Sequence, residues 1–259
     1  MGHEHEINND IFEIDITPNR GDCLSLIGLA RELDFFYDAD LSVEYFSESI
    51  QRLDINFENL STSVCPKISF LEMEVEELPH NYKDYLENHF IDMGAKKNNF
   101  FTDVSNYISY ELGHPTHCFD SSKINGQITF VDKECDEEFE TLLGQKVKLK
   151  GRNCVFLDNN NIISMAGIMG GQSTSCSKET KKILVECAYF KPESIIGKSI
   201  KYNLQSDAAY KFERHVDFSI QELVLRRFIK IVEDHVKIKS IKLSQYAYSK
   251  FKENQLEID

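Results

Sequence analysis

The chain has 259 residues, a hydrophobic fraction of 41% and a formal net charge of −14. This length and apolar content suffice for one large domain with a sizeable core, and no apolar run approaches the roughly 20 residues that span a bilayer. The acidic balance argues against binding nucleic acid through the overall field, because phosphates are held by Lys and Arg. The seven cysteines are scattered without a C-x-x-C pair, which favours free thiols and a cytosolic location.

Hydrophobic periodicity and turn residues predict the elements of the first half. They are a strand over residues 11–17, a helix that Asp22 caps and that runs to about Tyr37, a polar linker over 38–65 with at most a short strand, a strand over 67–78, and helices over 82–93 and 103–112. Gly94 and Gly113 end the last two helices, as glycine commonly does after a helix.

The second half begins with short strands and ends with helices. The predicted elements are short strands over 127–188, helices over 206–216 and 218–234, and a strand over 236–246. Strands and helices interleave without a regular βαβ rhythm, so we predict an α+β fold and not a doubly wound sheet.

Residues 164–188 carry the strongest local signal for a site. Gly167, Gly170 and Gly171 allow a backbone to approach another group closely, because glycine has no Cβ. Glu186 follows the apolar run 183–185, where an ionised side chain is expensive to bury without a partner. A pocket for a polar group is one interpretation. A glycine turn beside a carboxylate satisfied by neighbouring amides is the other.

Several catalytic signatures are absent from the sequence. There is no phosphate-cradling or dinucleotide-type glycine loop, and the stretch 171–175 lacks the closing glycine of a nucleophile elbow. His114, His117 and Cys118 could ligate zinc, but no second ligand pair stands at finger spacing, so we predict a turn and no metal. The local Lys and Arg clusters are expected to be solvated faces.

Five separated pieces of the sequence, taken together, resemble one family. They are Glu13–Ser25, Asp103–Tyr107 with Leu112–Asp120, Ala166–Gly171, Glu186–Phe190 and Ser206–Asp217. In this order and spacing they resemble the editing region, or B3/B4 domain, of the β subunit of bacterial-type phenylalanyl-tRNA synthetase. The resemblance implies a layered α+β domain with a β-sandwich-like core and flanking helices, plus a small N-terminal helical piece.

The resemblance also implies a chemistry, namely hydrolysis of tyrosine wrongly attached to the phenylalanine tRNA. Glu186 would accept the phenol, with the backbone at Gly170 close by. His117 would orient water or act as a weak base, and Lys96 would lie near the ribose or terminal phosphate. The remaining residues implied in substrate binding are Gly171, His114, Pro115, Ser206 and Ala208.

Four positions depart from the pattern of the family. Lys96 stands where arginine is frequent, and lysine lacks the planar fork that grips a phosphate in two places. Ser206 stands where threonine is frequent. His215 and Asn203 stand where glycine is usual. If the first of these two positions needs a positive φ, His215 introduces strain of about 1 kcal/mol.

The resemblance divides the chain and names its partners. Residues 1–50 would be a partial small helical segment and linker, 51–235 the editing domain, and 236–259 a strand and linker towards further domains. The expected partners are tRNA(Phe) and the α subunit of the full enzyme, without a membrane, and the piece itself is expected to be a monomer. No cofactor is implied, because Mg-ATP serves only the aminoacylation site of the full ligase. A catalytically silent tRNA-binding or scaffolding module of the same fold is the alternative function.

Overall fold

The computed structural model describes the backbone of residues 5–8 and all of residues 11–38 and 41–249. The helices are α1 (Leu26–Tyr37), α2 (Asp84–Asp92), α3 (Phe100–Leu112), α4 (Lys198–Tyr202), α5 (Asp207–Phe212) and α6 (Gln221–His235). The strands are β1 (His5–Asn8), β2 (Ile11–Ile14), β3 (Gln51–Arg52), β4 (Phe57–Asn59), β5 (Lys67–Val75), β6 (His117–Asp120), β7 (Ile128–Glu140), β8 (Lys146–Asp158), β9 (Asn161–Met165), β10 (Met169–Gly170), β11 (Lys182–Tyr189) and β12 (Ile238–Ala247).

Two five-stranded sheets build the body of the molecule, and β1 and β2 form a separate hairpin. The first sheet has the order β10-β9-β8-β7-β4, and the second has the order β3-β12-β5-β11-β6. Most neighbours are antiparallel, and β4/β7 and β3/β12 are parallel pairs. The mixture of short hairpins and long-range pairs confirms an α+β fold.

The core has two parts, one on each face of the second sheet. Between the sheets, Phe70 and Phe119 of the second sheet meet Phe130 and Phe156 of the first in one apolar cluster. On the opposite face, residues such as Leu71 and Val185 pack against α2, α3 and α6. The second sheet is therefore covered on both faces, as expected for a β-sandwich-like core with flanking helices.

Strand β11 shows this double coverage residue by residue. Leu184 and Ala188 face the inter-sheet cluster, whereas Ile183, Val185 and Cys187 face the helices. Because successive strand residues alternate faces, Glu186 lies on the inter-sheet side with its two apolar neighbours. Because both faces of β11 are covered, residues 183–185 are all apolar. Glu186 is the exception, a carboxyl on the inter-sheet face of a buried strand.

The cap of the first helix was wrongly predicted. Asp22 lies in a short 3₁₀ turn before α1, and Ser25 caps the helix, since its Oγ accepts a 2.9 Å hydrogen bond from the Gly28 N–H. Asp22 instead pairs with the guanidinium groups of Arg20 and Arg31. The Asp22 carboxylate therefore forms ion pairs with arginine side chains, whereas the sequence pattern predicted a hydrogen bond to a backbone N–H of the helix.

The other predicted elements are present with shifted ends. Residues 15–17 and 76–78, which were predicted as strand, lie outside the observed strands β2 and β5, α4 was not predicted, and the last two helices begin at Asp207 and Gln221. Strand β12 pairs with β5 over most of its length inside the second sheet, and residues 250–259 of the predicted C-terminal linker lie outside the described part of the chain. No helix within the described ranges has the length and apolar character needed to cross a membrane.

Candidate active site

A cavity of about 620 Å³ opens where the edge strands of the two sheets approach each other. Strands β6 and β11 of the second sheet line it on one side, and β9 and β10 of the first sheet line it on the other. The first turn of α5, the outer face of α3 and two loops complete the wall. Of the residues predicted to form a site, those that line it are Lys96, Pro115, His117, Gly170, Glu186, Ser206 and Ala208.

Glu186 is the buried acid of this cavity. Only 5% of the residue is exposed, and its side chain makes no hydrogen bond or ion pair within the described ranges. Burial raises the pKa of Glu186 to about 8, because desolvation disfavours the charged carboxylate. At neutral pH the carboxyl is therefore mostly protonated, and it can both donate and accept a hydrogen bond.

His117 stands directly beside Glu186, since the two are paired residues on β6 and β11. The Nε2 atom of His117 is buried and has no hydrogen-bond partner among the described residues, and the ring stands nearly perpendicular to that of Phe119 with the two centroids 4.4 Å apart. Burial lowers the pKa of His117 to about 4, so the imidazole is neutral at physiological pH. The sheet register thus brings a neutral acid and a neutral imidazole together in one wall.

Gly170 makes room for this imidazole. A Cβ on Gly170 would lie 2.2 Å from Cε1 and 2.8 Å from Nε2 of His117, which no side chain can tolerate. The carbonyl of Gly170 accepts a hydrogen bond from the Leu142 N–H, and the Gly171 N–H donates to Ile163. The bare backbone inferred from the sequence is therefore present, but the His117 ring occupies the space beside it.

Gly171 and His114 do not line the cavity. A Cβ on Gly171 would meet the Ile163 carbonyl oxygen at 2.6 Å, so this glycine serves the packing of β9. His114 is fully buried, with Nδ1 at 3.1 Å from the Pro115 carbonyl oxygen and 3.6 Å from the Cys187 Sγ. Burial lowers the pKa of His114 to about 4.

The zinc alternative receives no support from the geometry. In the described part of the chain, the one group of three ligand-type side chains close enough to share an ion is Asp22, Cys23 and Glu32. Both of its carboxylates are already paired with Arg20. His114, His117 and Cys118 do not converge.

The first turn of α5 forms another wall. Ser206 caps the helix, because its Oγ accepts a 3.0 Å hydrogen bond from the Ala209 N–H. Asp207 and the small Ala208 follow it along the cavity. The buried Lys211 ties this turn to α3, since its Nζ donates to the Ser109 carbonyl oxygen at 2.6 Å and lies 3.2 Å from the Asp207 carboxylate.

The mouth of the cavity carries positive charge. Lys97 pairs with Glu87 at 2.7 Å, whereas Lys96 and Lys178 are exposed and make no ion pair within the described ranges. The segments that carry them adjoin, because Asn99 Nδ2 donates to the Cys176 carbonyl oxygen. Sequence interpretation placed Lys178 on a solvated face, and no local pattern connects it with residues 80 positions upstream.

The largest basic cluster of the sequence is neutralised by its neighbours. Lys146, Lys148, Lys150 and Arg152 on β8 stand opposite Glu140, Glu138, Asp136 and Glu134 on β7. Opposite charges at paired positions stabilise an antiparallel ladder. This hairpin is therefore a balanced, solvated face, unlike the cavity rim, where Lys96 and Lys178 make no ion pair with any described residue.

Fold and site together define a two-sheet α+β domain that encloses a substrate-sized cavity with a buried acid. The family model for the B3/4 domain matches residues 77–237, which is more than half of the chain. The chain therefore belongs to the B3/4 domain family.

Similar relatives of known name are subunits of one enzyme. The chain is 32% identical over 230 residues to the phenylalanine–tRNA ligase beta subunit of Psychrobacter arcticus, and 34% identical over 236 residues to that of Fusobacterium nucleatum. The match covers 87% and 88% of this chain but 29% of each relative. Among solved structures, an N-terminal fragment of the phenylalanyl-tRNA synthetase beta subunit from Pyrococcus horikoshii has a TM-score of 0.47 and 14% identity, covering 93% of this chain and 65% of that chain.

Proposed function

We propose that this chain is an editing module, a part of a phenylalanine–tRNA ligase beta subunit that hydrolyses tyrosine mischarged onto tRNA(Phe). The supporting observation is the Glu186 carboxyl, which is buried in the cavity wall without a partner in the described part of the chain. Such a group favours a ligand that supplies a hydroxyl at that depth. Tyrosine differs from phenylalanine by that hydroxyl.

The discrimination follows from hydrogen bonding. A tyrosyl phenol donates to and accepts from the protonated Glu186 carboxyl, whereas phenylalanine seals the same carboxyl away from water without a partner. An unsatisfied buried polar group costs about 1–3 kcal/mol, which corresponds to roughly 5- to 150-fold in selectivity. Sites built around a substrate hydroxyl reach about 10⁴-fold against the analogue that lacks it.

Hydrolysis is assigned to water held by His117. The imidazole lines the cavity and is neutral because its pKa is lowered, so it can accept a hydrogen bond from a water molecule as a weak base. An aminoacyl ester is already reactive, so a positioned water and fixed dipoles can replace a covalent nucleophile.

The rim lysines are assigned to the tRNA. Lys96 would contact the ribose or the terminal phosphate, and the net charge of −14 keeps the rest of the surface unfavourable for RNA. Binding of tRNA(Phe) should therefore be weak and salt-sensitive. The α subunit, the Mg-ATP of aminoacylation and a cytosolic location belong to the full ligase of this proposal.

A deacylation assay tests the proposal. The purified chain should release tyrosine from Tyr-tRNA(Phe) faster than phenylalanine from Phe-tRNA(Phe), and Glu186→Ala should flatten this preference. Glu138→Ala, on the exposed β7 hairpin, is the matched control and should leave the preference unchanged. An unaltered preference in Glu186→Ala would remove the recognition role. Binding of tRNA(Phe) without any deacylation would support the silent module.

A further inference from the structure

Two carboxyl groups line the cavity in the described part of the chain, and they lie at different depths. Glu186 is at the inner wall with 5% of the residue exposed, whereas the side chain of Asp207, at the start of α5, is 70% exposed. Burial keeps Glu186 mostly protonated at neutral pH. Asp207 is therefore the carboxylate that supplies negative charge to the cavity wall.

The two oxygens of Asp207 are in different situations. Oδ2 accepts a hydrogen bond from the Ser109 Oγ at 3.2 Å and pairs with the Lys211 Nζ at the same distance. Oδ1 has no hydrogen bond from any described residue. Lys211 and Ser109 thus hold the carboxylate through Oδ2, and Oδ1 of this cavity-lining residue is left for a ligand.

We infer that Asp207 binds the α-ammonium group of the aminoacyl ester and so positions the ester relative to His117. This inference rests on the proposed function and adds a recognition element to it. A tyrosyl ester has a hydroxyl at one end of its side chain and a cationic ammonium at the other. The inner neutral acid fits the first group, and the outer, braced carboxylate fits the second.

The same carboxylate gives a reason for the buried Lys211. Its ammonium also donates to the Ser109 carbonyl oxygen and lies 3.1 Å from the Ser109 Oγ, so that Asp207 is held by a group that is itself fixed to α3. A carboxylate fixed in this way loses little side-chain freedom when a ligand binds. Lys211 is accordingly a positioning residue for Asp207.

The test measures affinity for two non-hydrolysable probes by calorimetry. One is 3′-deoxyadenosine carrying L-tyrosine through a 3′-amide, and the other is its counterpart without the α-amino group, which carries 3-(4-hydroxyphenyl)propionate. Wild type should bind the tyrosyl probe about 10- to 100-fold more tightly, as expected for a hydrogen bond to a charged group. Asp207→Asn should reduce this ratio to nearly 1, and Asp207→Glu should restore part of it.

Asp84→Asn is the matched control. Asp84 is also exposed and also opens a helix, α2, but it does not line the cavity. It should retain the wild-type ratio, which separates a helix effect from recognition. Asp207→Asn with an unchanged ratio, measured on a chain with a wild-type melting temperature, would overturn the inference while leaving the proposed function standing. Failure of wild type to bind either probe would overturn both.

Discussion

The contact between Gly170 and His117 provides a stability test that needs no substrate. A methyl group at position 170 would stand 2.2 Å from the imidazole Cε1, and the imidazole packs against Phe119 with the two ring centroids 4.4 Å apart. The ring would therefore have to shift to accommodate the methyl group. Overpacking of this kind costs about 1–3 kcal/mol, so Gly170→Ala should lower the free energy of unfolding by that amount.

A double-mutant cycle isolates this contact. In a His117→Ala background the space beside position 170 is empty, so Gly170→Ala should change the stability by less than about 0.5 kcal/mol. The four chains are compared by urea denaturation and by melting temperature, where each kcal/mol corresponds to about 2–4 °C in a chain of this size. The expected coupling is about 1–3 kcal/mol.

Equal costs of Gly170→Ala in both backgrounds would show that contact with the imidazole is not the cause of the destabilisation. The glycine would then be required for the pairing of β10 with β9, and the position of the imidazole would be independent of it. Together with the water-holding role proposed for His117, a coupling of the expected size would also predict slow deacylation by Gly170→Ala, because the imidazole would be displaced.

Three further predictions concern stability. The pKa of Glu186 is about 8 in the folded chain, above its ordinary value of 4.5. Between pH 4.5 and pH 8 the unfolded chain loses a proton that the folded chain keeps, so the free energy of unfolding falls as the pH rises. Between pH 5 and pH 8, urea denaturation should show the free energy of unfolding of Glu186→Gln rising by a few kcal/mol relative to that of wild type. His215→Gly should raise the melting temperature by relieving a φ of +65°, worth about 0.5–1 kcal/mol, and His215→Ala should not. Glu111→Gln should lower the free energy of unfolding by about 3–5 kcal/mol in chemical denaturation, because it breaks a buried ion pair with Arg227. Glu87→Gln, which breaks the more exposed ion pair with Lys97, should lower it by less than about 1 kcal/mol.

Local chemistry in the sequence predicted much of the backbone. Gly113 was predicted to end a helix, and it follows α3 directly in the left-handed conformation. The resemblance placed His215 and Asn203 where the family usually has glycine, and both adopt a positive φ, of +65° and +53°. A helix end depends on a residue and its immediate neighbours and can be predicted from a single sequence, whereas these two positions were singled out by the resemblance.

Features that depend on strand pairing were beyond reach. The pairing of Glu186 with His117 joins residues almost 70 positions apart, and nothing in either segment specifies it. The prediction that Asp22 caps α1 was wrong for a different reason, since the Asp22 carboxylate pairs with Arg20 and Arg31. Lys178 joined the rim because the loop after β10 lies against the segment that precedes α3.

The free-energy cost of burying the Glu186 carboxyl can be used to test whether this position serves recognition or packing. Its neighbours on the same face, Leu184 and Ala188, are apolar and buried. An apolar side chain at position 186 would also fill the inter-sheet space, and it would have no polar group to bury. An unpartnered buried carboxyl lowers stability instead of supplying it. A ligand hydroxyl that bonds to this carboxyl removes the cost, so the tyrosyl probe should raise the melting temperature of wild type more than the corresponding phenylalanyl probe does. The difference between the two probes should vanish in Glu186→Ala, because the same carboxyl would then no longer govern both stability and selection.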